Sequence, residues 1–165
     1  MALPSGTKAP QLLISSTRGA PVVLSELLTR GPVLLAFFKV SCPVCQYAFP
    51  YLERLFQVHK TEPVTFLGVS QDNAADTERF MKQYGVTFPV GLDDSQRYVA
   101  SNAYRLTNVP TLYLVDRDGE IQFTSVGWSR ADFEELNMKL SVMSPGQQQF
   151  PVFKPGEEVA EFKAG

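Results

Sequence analysis

Two cysteines, Cys42 and Cys45, are the only thiols in a chain of 165 residues. They lie in the stretch VLLAFFKVSCPVCQYAFPYLERL, between an apolar run and a segment with helical spacing. A sulfur at the start of a helix faces unpaired backbone N–H groups and the positive end of the helix dipole, which favour thiolate over thiol. Because the thiolate is the nucleophile, we expect Cys42 to be reactive. Cys45, one turn further on the same face, is within disulfide reach and is expected to be less exposed, as suits a resolving thiol.

The two residues between the cysteines, Pro43 and Val44, complete the motif. Proline at an early helical position sacrifices no hydrogen bond and is already in helical conformation. We expect Pro43 and Val44 to flank the reactive sulfur, to tune its reduction potential and to contact the substrate.

Other uses of the two thiols remain as alternatives. A structural disulfide would close a loop of four residues and contribute only about 2 kcal/mol, against about 3 kcal/mol for a fifteen-residue loop. The chain would then be a disulfide-stapled binding module. A zinc site takes about four ligands, and the single histidine, His59, adds too few, so a metal would have to bridge two chains. A redox-active dithiol explains the placement of the pair best.

The composition is that of one globular domain. Acidic and basic residues are balanced, 17 against 15, and lack the basic clustering of a nucleic-acid-binding protein. The longest apolar run is much shorter than the ~20 residues that span a bilayer. No signal-peptide pattern is visible at the N-terminus. The sequence as written therefore predicts a cytoplasmic protein, or a periplasmic or otherwise extracytoplasmic one if a leader precedes it.

The hydrophobic spacing predicts strands that alternate with helices. Such alternation indicates an α/β fold with parallel central strands, and the hairpin signals add antiparallel strands. We expect a mixed central sheet flanked by helices on both faces. The predicted elements are an N-terminal hairpin over 11–24, strands 32–38 and 64–70, a helix from Pro43, a helix over 73–84, a short edge or connecting strand over 86–93, a helix over 94–106, a hairpin over 109–127 and a last helix over 129–143.

The last residues differ in composition from the rest. The stretch from Ser144 onward is rich in Pro, Gly, Gln and Glu. We predict a domain over 1–143 and an extended tail over 144–165, docked at most by Phe150 and Phe153. Trp128, just after the final strand, is predicted to be exposed near the motif end of the molecule.

The motifs together resemble the thioredoxin superfamily, and within it the TlpA/ResA-like, AhpC/TSA branch. The resemblance covers roughly residues 7–142. It is carried by KAP before the N-terminal hairpin, FFKVSCPVC, Pro50 in the following helix, NVPTLYLVDRDGEI, and Gly127 before the last helix. It implies a thioredoxin-like fold with an N-terminal β-hairpin and an extra βα insertion before the strand that follows Pro110.

The resemblance also implies a function and a substrate groove. The bond between Val109 and Pro110 would be cis, and its backbone would face the dithiol, with Val109, Pro110 and Thr111 lining the groove. The implied activity is thiol-disulfide exchange through Cys42 and Cys45. Its partners would be a protein disulfide or dithiol and an upstream redox protein, without a metal or organic cofactor.

The chain departs from the family at three positions near the motif. Ser41 stands where a tryptophan is usual, Ala36 where classical thioredoxins bury an acid, and Ala48 where many TlpA-like proteins carry a glutamate. The motif region therefore offers no obvious carboxylate to accept the proton of Cys45, and water is the expected acceptor.

A peroxiredoxin-like thiol peroxidase that uses Cys45 is the alternative enzyme. Peroxiredoxins carry a proline, a threonine and the peroxidatic cysteine at fixed spacing. Those positions are occupied here by Phe38, Cys42 and Cys45, so two of the three do not match.

Overall fold

A computed structural model of the chain describes residues 1–143 and 150–165. The elements follow the predicted alternation of strands and helices. They are β1 (Leu13–Ser16), β2 (Pro21–Val23), α1 (Leu24–Leu28), β3 (Val33–Phe38), α2 (Pro43–His59), β4 (Thr65–Ser70), α3 (Ala74–Tyr84), β5 (Val90–Leu92), α4 (Val99–Ala103), β6 (Thr111–Val115), β7 (Ile121–Val126), β8 (Trp128–Ser129), α5 (Arg130–Met143) and β9 (Phe162–Lys163).

Seven strands form one mixed sheet in the order β2-β1-β5-β4-β3-β6-β7. The central strands β3, β4 and β5 are parallel, whereas β6 and β7 on one side and β1 and β2 on the other are antiparallel. The N-terminal hairpin is β1–β2, and the βα insertion is β5–α4. The predicted thioredoxin-like fold is confirmed.

Strand β3 lies inside the sheet between β4 and β6, and both of its faces are buried. Leu34, Ala36 and Phe38 point into a core shared with α2, α3 and α5. The alternate side chains point to the opposite face, where α1 and α4 pack. A strand covered on both sides needs a continuous apolar sequence, which is why VLLAFF shows no alternation.

Two local predictions between β4 and β6 were wrong. The helix expected over 94–106 is only α4, because Tyr98 has a left-handed φ of 50° and the Asp94 carboxylate instead accepts hydrogen bonds from the N–H groups of Gln96 and Arg97. The short strand expected at an edge is internal, since β5 pairs with both β1 and β4. Pro89 does not interfere because it precedes the strand and uses only its carbonyl, which accepts from the Gly68 N–H.

The prediction for Trp128 was also wrong. Its side chain is 0% exposed, and its indole Nε1–H donates to the Ala160 carbonyl at 2.6 Å. Chain segments that are far apart in sequence cover it, namely α2, α5 and the C-terminal residues.

The C-terminal segment makes more contacts than predicted. Phe153 is buried and Phe150 is half exposed, but Val152 is buried too, and β9 pairs antiparallel with β8. The prediction that at most Phe150 and Phe153 dock was therefore wrong, because Val152 and β9 dock as well. Residues 144–149, where the predicted tail begins, lie outside the described residues, and the division into a domain and a tail stays a prediction.

Candidate active site

Cys42 lies at the N-terminus of α2, where β3 has just ended. It is the N-cap residue of the helix, and its Sγ accepts a hydrogen bond from the Cys45 N–H at 3.2 Å. Pro43 follows at the first helical position, as predicted. The Cys42 side chain is partly exposed, and both cysteines are free thiols. The sulfur that the sequence indicates as nucleophile is therefore accessible and bonded to the helix N-terminus.

Cys45 is enclosed on all sides. Its side chain is 0% exposed and belongs to the core between β3 and α2. Burial raises the pKa of the Cys45 thiol far above its usual range, and a hydrogen bond with the Lys39 backbone opposes this only in part. Cys45 is therefore a neutral, shielded thiol at neutral pH.

The loop before β6 faces Cys42. The Val109–Pro110 bond is cis, as the resemblance implies, and the Cys42 thiol donates to the Val109 carbonyl at 3.4 Å. Strand β6 runs antiparallel beside β3, with Thr111 paired to Phe37, so the start of one strand adjoins the end of the other. This register brings the Val109–Pro110 loop to the reactive sulfur.

The remaining predicted substrate-binding residues occupy different positions. Pro43 is exposed, and Val44 and Val109 are half-buried, so these three offer surface next to Cys42. Pro110 and Thr111 are buried. The Thr111 hydroxyl donates to the Asn108 carbonyl at 2.7 Å, so its side chain holds the loop instead of facing solvent.

Asp72 is a residue of this region whose placement the sequence analysis missed. Asn73, the next residue, caps α3, and the Asp72 carboxylate accepts from the Val40 N–H at 2.8 Å. The Gln46 side chain donates to the Val40 carbonyl at 2.9 Å. Neighbouring parallel strands end at the same edge of a sheet, and the residues after β3 and β4 therefore meet. That signal was available in the sequence once the two strands were paired.

A metal site has no support among residues 1–143 and 150–165. No three His, Cys, Asp or Glu side chains in those ranges come together so that they could hold an ion. His59 is buried, and its Nε2 is 2.9 Å from the Asn137 side-chain oxygen. In the same ranges no helix has the length and apolar character needed to cross a membrane.

Known proteins with a similar sequence or fold include thiol-exchange proteins. The thiol-disulfide oxidoreductase ResA of Bacillus subtilis (strain 168) is 32% identical over 117 residues, which are 70% of this chain and 64% of that protein. The crystal structure of a candidate thiol:disulfide interchange protein DsbE from Chlorobium tepidum is 27% identical, with a TM-score of 0.75, and the match covers 86% of this chain and 99% of that one.

A peroxidoxin shares the fold as well. Peroxidoxin BcpB from Mycobacterium tuberculosis superimposes with a TM-score of 0.70 over 86% of this chain and 96% of its own, at 17% identity, which shows the fold alone. The sequence model of the AhpC/TSA family matches residues 5–124. The chain belongs to the AhpC/TSA family.

Proposed function

We propose that the protein is a thiol-disulfide oxidoreductase in which Cys42 is the attacking sulfur and Cys45 the resolving one. The observation that carries the proposal is the contrast between the two thiols. Cys42 is partly exposed at a helix N-terminus and contacts the Val109 carbonyl, whereas Cys45 is buried one turn behind it. The names of ResA and DsbE, which are similar over most of this chain, support the same reaction.

The exchange takes place in two displacements. The Cys42 thiolate attacks one sulfur of a partner disulfide, so that a Cys42–partner bond forms, the partner S–S bond breaks and the other partner sulfur leaves as a thiolate. Cys45 then attacks Cys42, and the second partner sulfur leaves. The partner gains two electrons and becomes a dithiol, and the enzyme becomes a Cys42–Cys45 disulfide. Run in reverse, the same steps oxidise a partner dithiol.

The second displacement requires Cys45 to lose its proton. Because burial raises the pKa of this thiol, the thiolate is scarce at neutral pH until a partner is attached. The nearby Asp72 carboxylate accepts the Val40 N–H, and its negative charge raises the Cys45 pKa further. We propose that water accepts the proton of Cys45 once the mixed disulfide has formed. Cys45 then attacks only when a partner is attached to Cys42.

We propose that the partner is a protein disulfide or dithiol, with a second redox protein restoring the starting state of the enzyme. The exposed Pro43 and the half-buried Val44 and Val109 form a surface beside Cys42 against which a polypeptide can lie. Thr111 positions this surface through the Asn108 carbonyl, and Pro110 between them is buried.

The peroxidase alternative would need Cys45 to meet a peroxide. A peroxidatic thiol must be reached by its substrate and reacts as the thiolate. Cys45 is 0% exposed with a raised pKa, so both conditions are poorly met. The shared fold of a peroxidoxin does not change this, because fold and chemistry are separable.

We propose the cytoplasm as the location of the protein, with the periplasm or another extracytoplasmic compartment as the alternative. Fractionation of cells that express the natural gene, with detection by antibody, distinguishes the two.

Trapping of the mixed disulfide tests the roles of the cysteines. Cys45→Ser should accumulate a covalent complex with a peptide disulfide, linked through Cys42, because the resolving sulfur is missing. Cys42→Ser should form no complex. Mass spectrometry of the two variants under non-reducing conditions reads out both results. Hydrogen peroxide turnover that survives in Cys42→Ser and disappears in Cys45→Ser would instead establish the peroxidase.

A further inference from the structure

The C-terminal segment, residues 159–165, is fastened to the redox end of the molecule by two aromatic side chains. The Trp128 indole N–H donates to the Ala160 carbonyl at 2.6 Å, and the Ala160 N–H donates to the Tyr47 hydroxyl at 2.9 Å. Tyr47 belongs to the same helix as Cys45 and packs edge-on against Trp128. The backbone N–H and carbonyl of Ala160 are thus both hydrogen-bonded, to Tyr47 and to Trp128. These two bonds hold the segment in place.

The segment next passes Gly127 at very close range. Lys163 pairs with Trp128 in the β8–β9 ladder, and Gly127 immediately precedes that ladder. A Cβ on Gly127 would lie 2.6 Å from the Lys163 carbonyl oxygen and 2.9 Å from the Gly165 nitrogen. Only a residue without a side chain permits this approach.

On its other side the segment lies against the Val109 loop. A Cβ on Gly165 would be 2.5 Å from the Val109 carbonyl oxygen, and the Asn108 side-chain amide donates to the Gly165 carbonyl at 2.8 Å. The same Val109 oxygen is 3.4 Å from the Cys42 Sγ. The reactive sulfur and the C-terminal residues therefore contact one shared atom.

We propose that residues 163–165 form a fixed wall along one side of Cys42 and determine which partners reach it. The inference rests on the proposed thiol-disulfide exchange. With the wall in place, the open approach to Cys42 is past Pro43 and Val44. A small or extended disulfide fits this approach, whereas a disulfide on the surface of a globular protein collides with the wall. The wall thus acts by excluding one class of partner and leaves the sulfur chemistry unchanged.

The anchoring distinguishes a wall from a mobile lid. Upstream of residues 159–165, Val152 and Phe153 are buried, and Glu157 forms an ion pair with Arg54 at 2.7 Å. The aromatic bonds, the β8–β9 ladder and the Asn108 amide hold the rest. These contacts hold the segment at several points along its length.

The test compares two disulfide substrates in a variant with a loosened wall. Tyr47→Phe combined with Asn108→Ala removes one hydrogen bond at each end of the segment and keeps the Tyr47 ring packing and the Asn108 backbone. The ratio of kcat/KM for insulin to that for oxidised glutathione should rise at least about fivefold, the equivalent of one of the two hydrogen bonds removed. Glu157→Gln is the matched control, because it weakens the ion pair with Arg54 and leaves the contacts at Val109 in place. It should leave the ratio unchanged.

An unchanged or lower ratio in a folded double variant would overturn the wall while leaving exchange chemistry intact. Wild-type protein that exchanges with neither disulfide would refute the proposed function itself, and the wall with it. Should the double variant fail to fold, Gly165→Ala serves instead, because its added Cβ displaces residue 165 from Val109 without touching the core. The same rise in the ratio is expected.

Discussion

The Cys42 Sγ lies 3.4 Å from the Val109 carbonyl oxygen, although 67 positions separate the two residues in the chain. The contact exists because β3 and β6 are antiparallel neighbours and Phe37 pairs with Thr111. Cys42 follows one strand, and Val109 precedes the other. A change at the sulfur therefore acts directly on the loop that we propose to bind the partner.

Thr111→Val tests whether the loop positions the partner. The substitution keeps the shape of a fully buried side chain but removes the hydroxyl that donates to the Asn108 carbonyl. We expect a loss of about 0.5–1.5 kcal/mol in the free energy of unfolding, because a partly buried hydrogen bond is lost and its acceptor residue, Asn108, is exposed to water. The kcat/KM for a peptide disulfide should fall several-fold through KM, with alkylation of Cys42 by iodoacetamide unchanged. Thr107→Val, at an exposed position of the same loop, is the control. Unchanged KM in Thr111→Val would show that the loop needs no such support.

Asp72→Asn tests the electrostatic environment of Cys45. The amide oxygen still accepts the Val40 N–H, but the negative charge that raises the Cys45 pKa is gone. The pKa of Cys45 should therefore fall, by less than about one pH unit, since burial is the larger cause. The rate at which Cys45 is alkylated at one fixed pH in a Cys42→Ser background follows the thiolate fraction and so measures the shift. Asp76→Asn, whose carboxylate interacts with Asn73 and Arg79, should produce none. An upward shift in Asp72→Asn would contradict the assignment.

The buried thiol also predicts how stability changes with pH. An unfolded cysteine loses its proton near pH 8.5, whereas Cys45 in the fold keeps it to a much higher pH. Below about pH 8.5 both the folded and the unfolded chain hold the proton, and the free energy of unfolding does not change for this reason. Above about pH 8.5 the unfolded chain alone releases the proton, so the free energy of unfolding falls by up to about 1.4 kcal/mol per pH unit. Urea unfolding of Cys42→Ser and of the Cys42→Ser/Cys45→Ser double variant, between about pH 7.5 and 9.5, isolates this slope. Equal slopes would mean that Cys45 is not shielded.

Tyr113→Phe probes the opposite face of the sheet. The Tyr113 hydroxyl accepts from the Leu3 N–H and donates to the Tyr104 carbonyl at 2.7 Å. Removing it leaves two buried groups without their partner, and we expect a loss of about 1–3 kcal/mol in unfolding free energy with exchange activity per folded molecule retained. Tyr98→Phe, at an exposed ring, should cost less than half a kcal/mol. Comparable losses in both variants would contradict the role of the buried hydroxyl.

The sequence predicted the elements whose signals are local. The unbroken apolar run of β3 requires two covered faces, and the pair Cys42 and Cys45 precedes the period of α2. Pro110 was found through the family resemblance, because a dipeptide alone does not reveal a cis bond. These features depend on a few neighbouring residues, and sequence reasoning reaches them.

The errors concern contacts between distant segments. Trp128 is covered by residues 150–165, whose Pro, Gly and Glu content resembles that of an unstructured tail. Its anchors, Tyr47 and Arg54, are on α2 and carry no local signal for this role. The helix predicted over 94–106 is cut short because Tyr98 adopts a left-handed conformation, which helical spacing does not register.

Equilibration of the protein with glutathione or dithiothreitol buffers tests whether Cys42 and Cys45 are a redox-active pair. We expect one reversible two-electron transition that converts the two free thiols into their mutual disulfide. A midpoint near or below about −270 mV would identify a reductant, and one near about −120 mV an oxidant. If the two thiols do not interconvert reversibly and the Cys45 sulfur gains oxygen instead, a redox-active pair is contradicted and a thiol peroxidase is established.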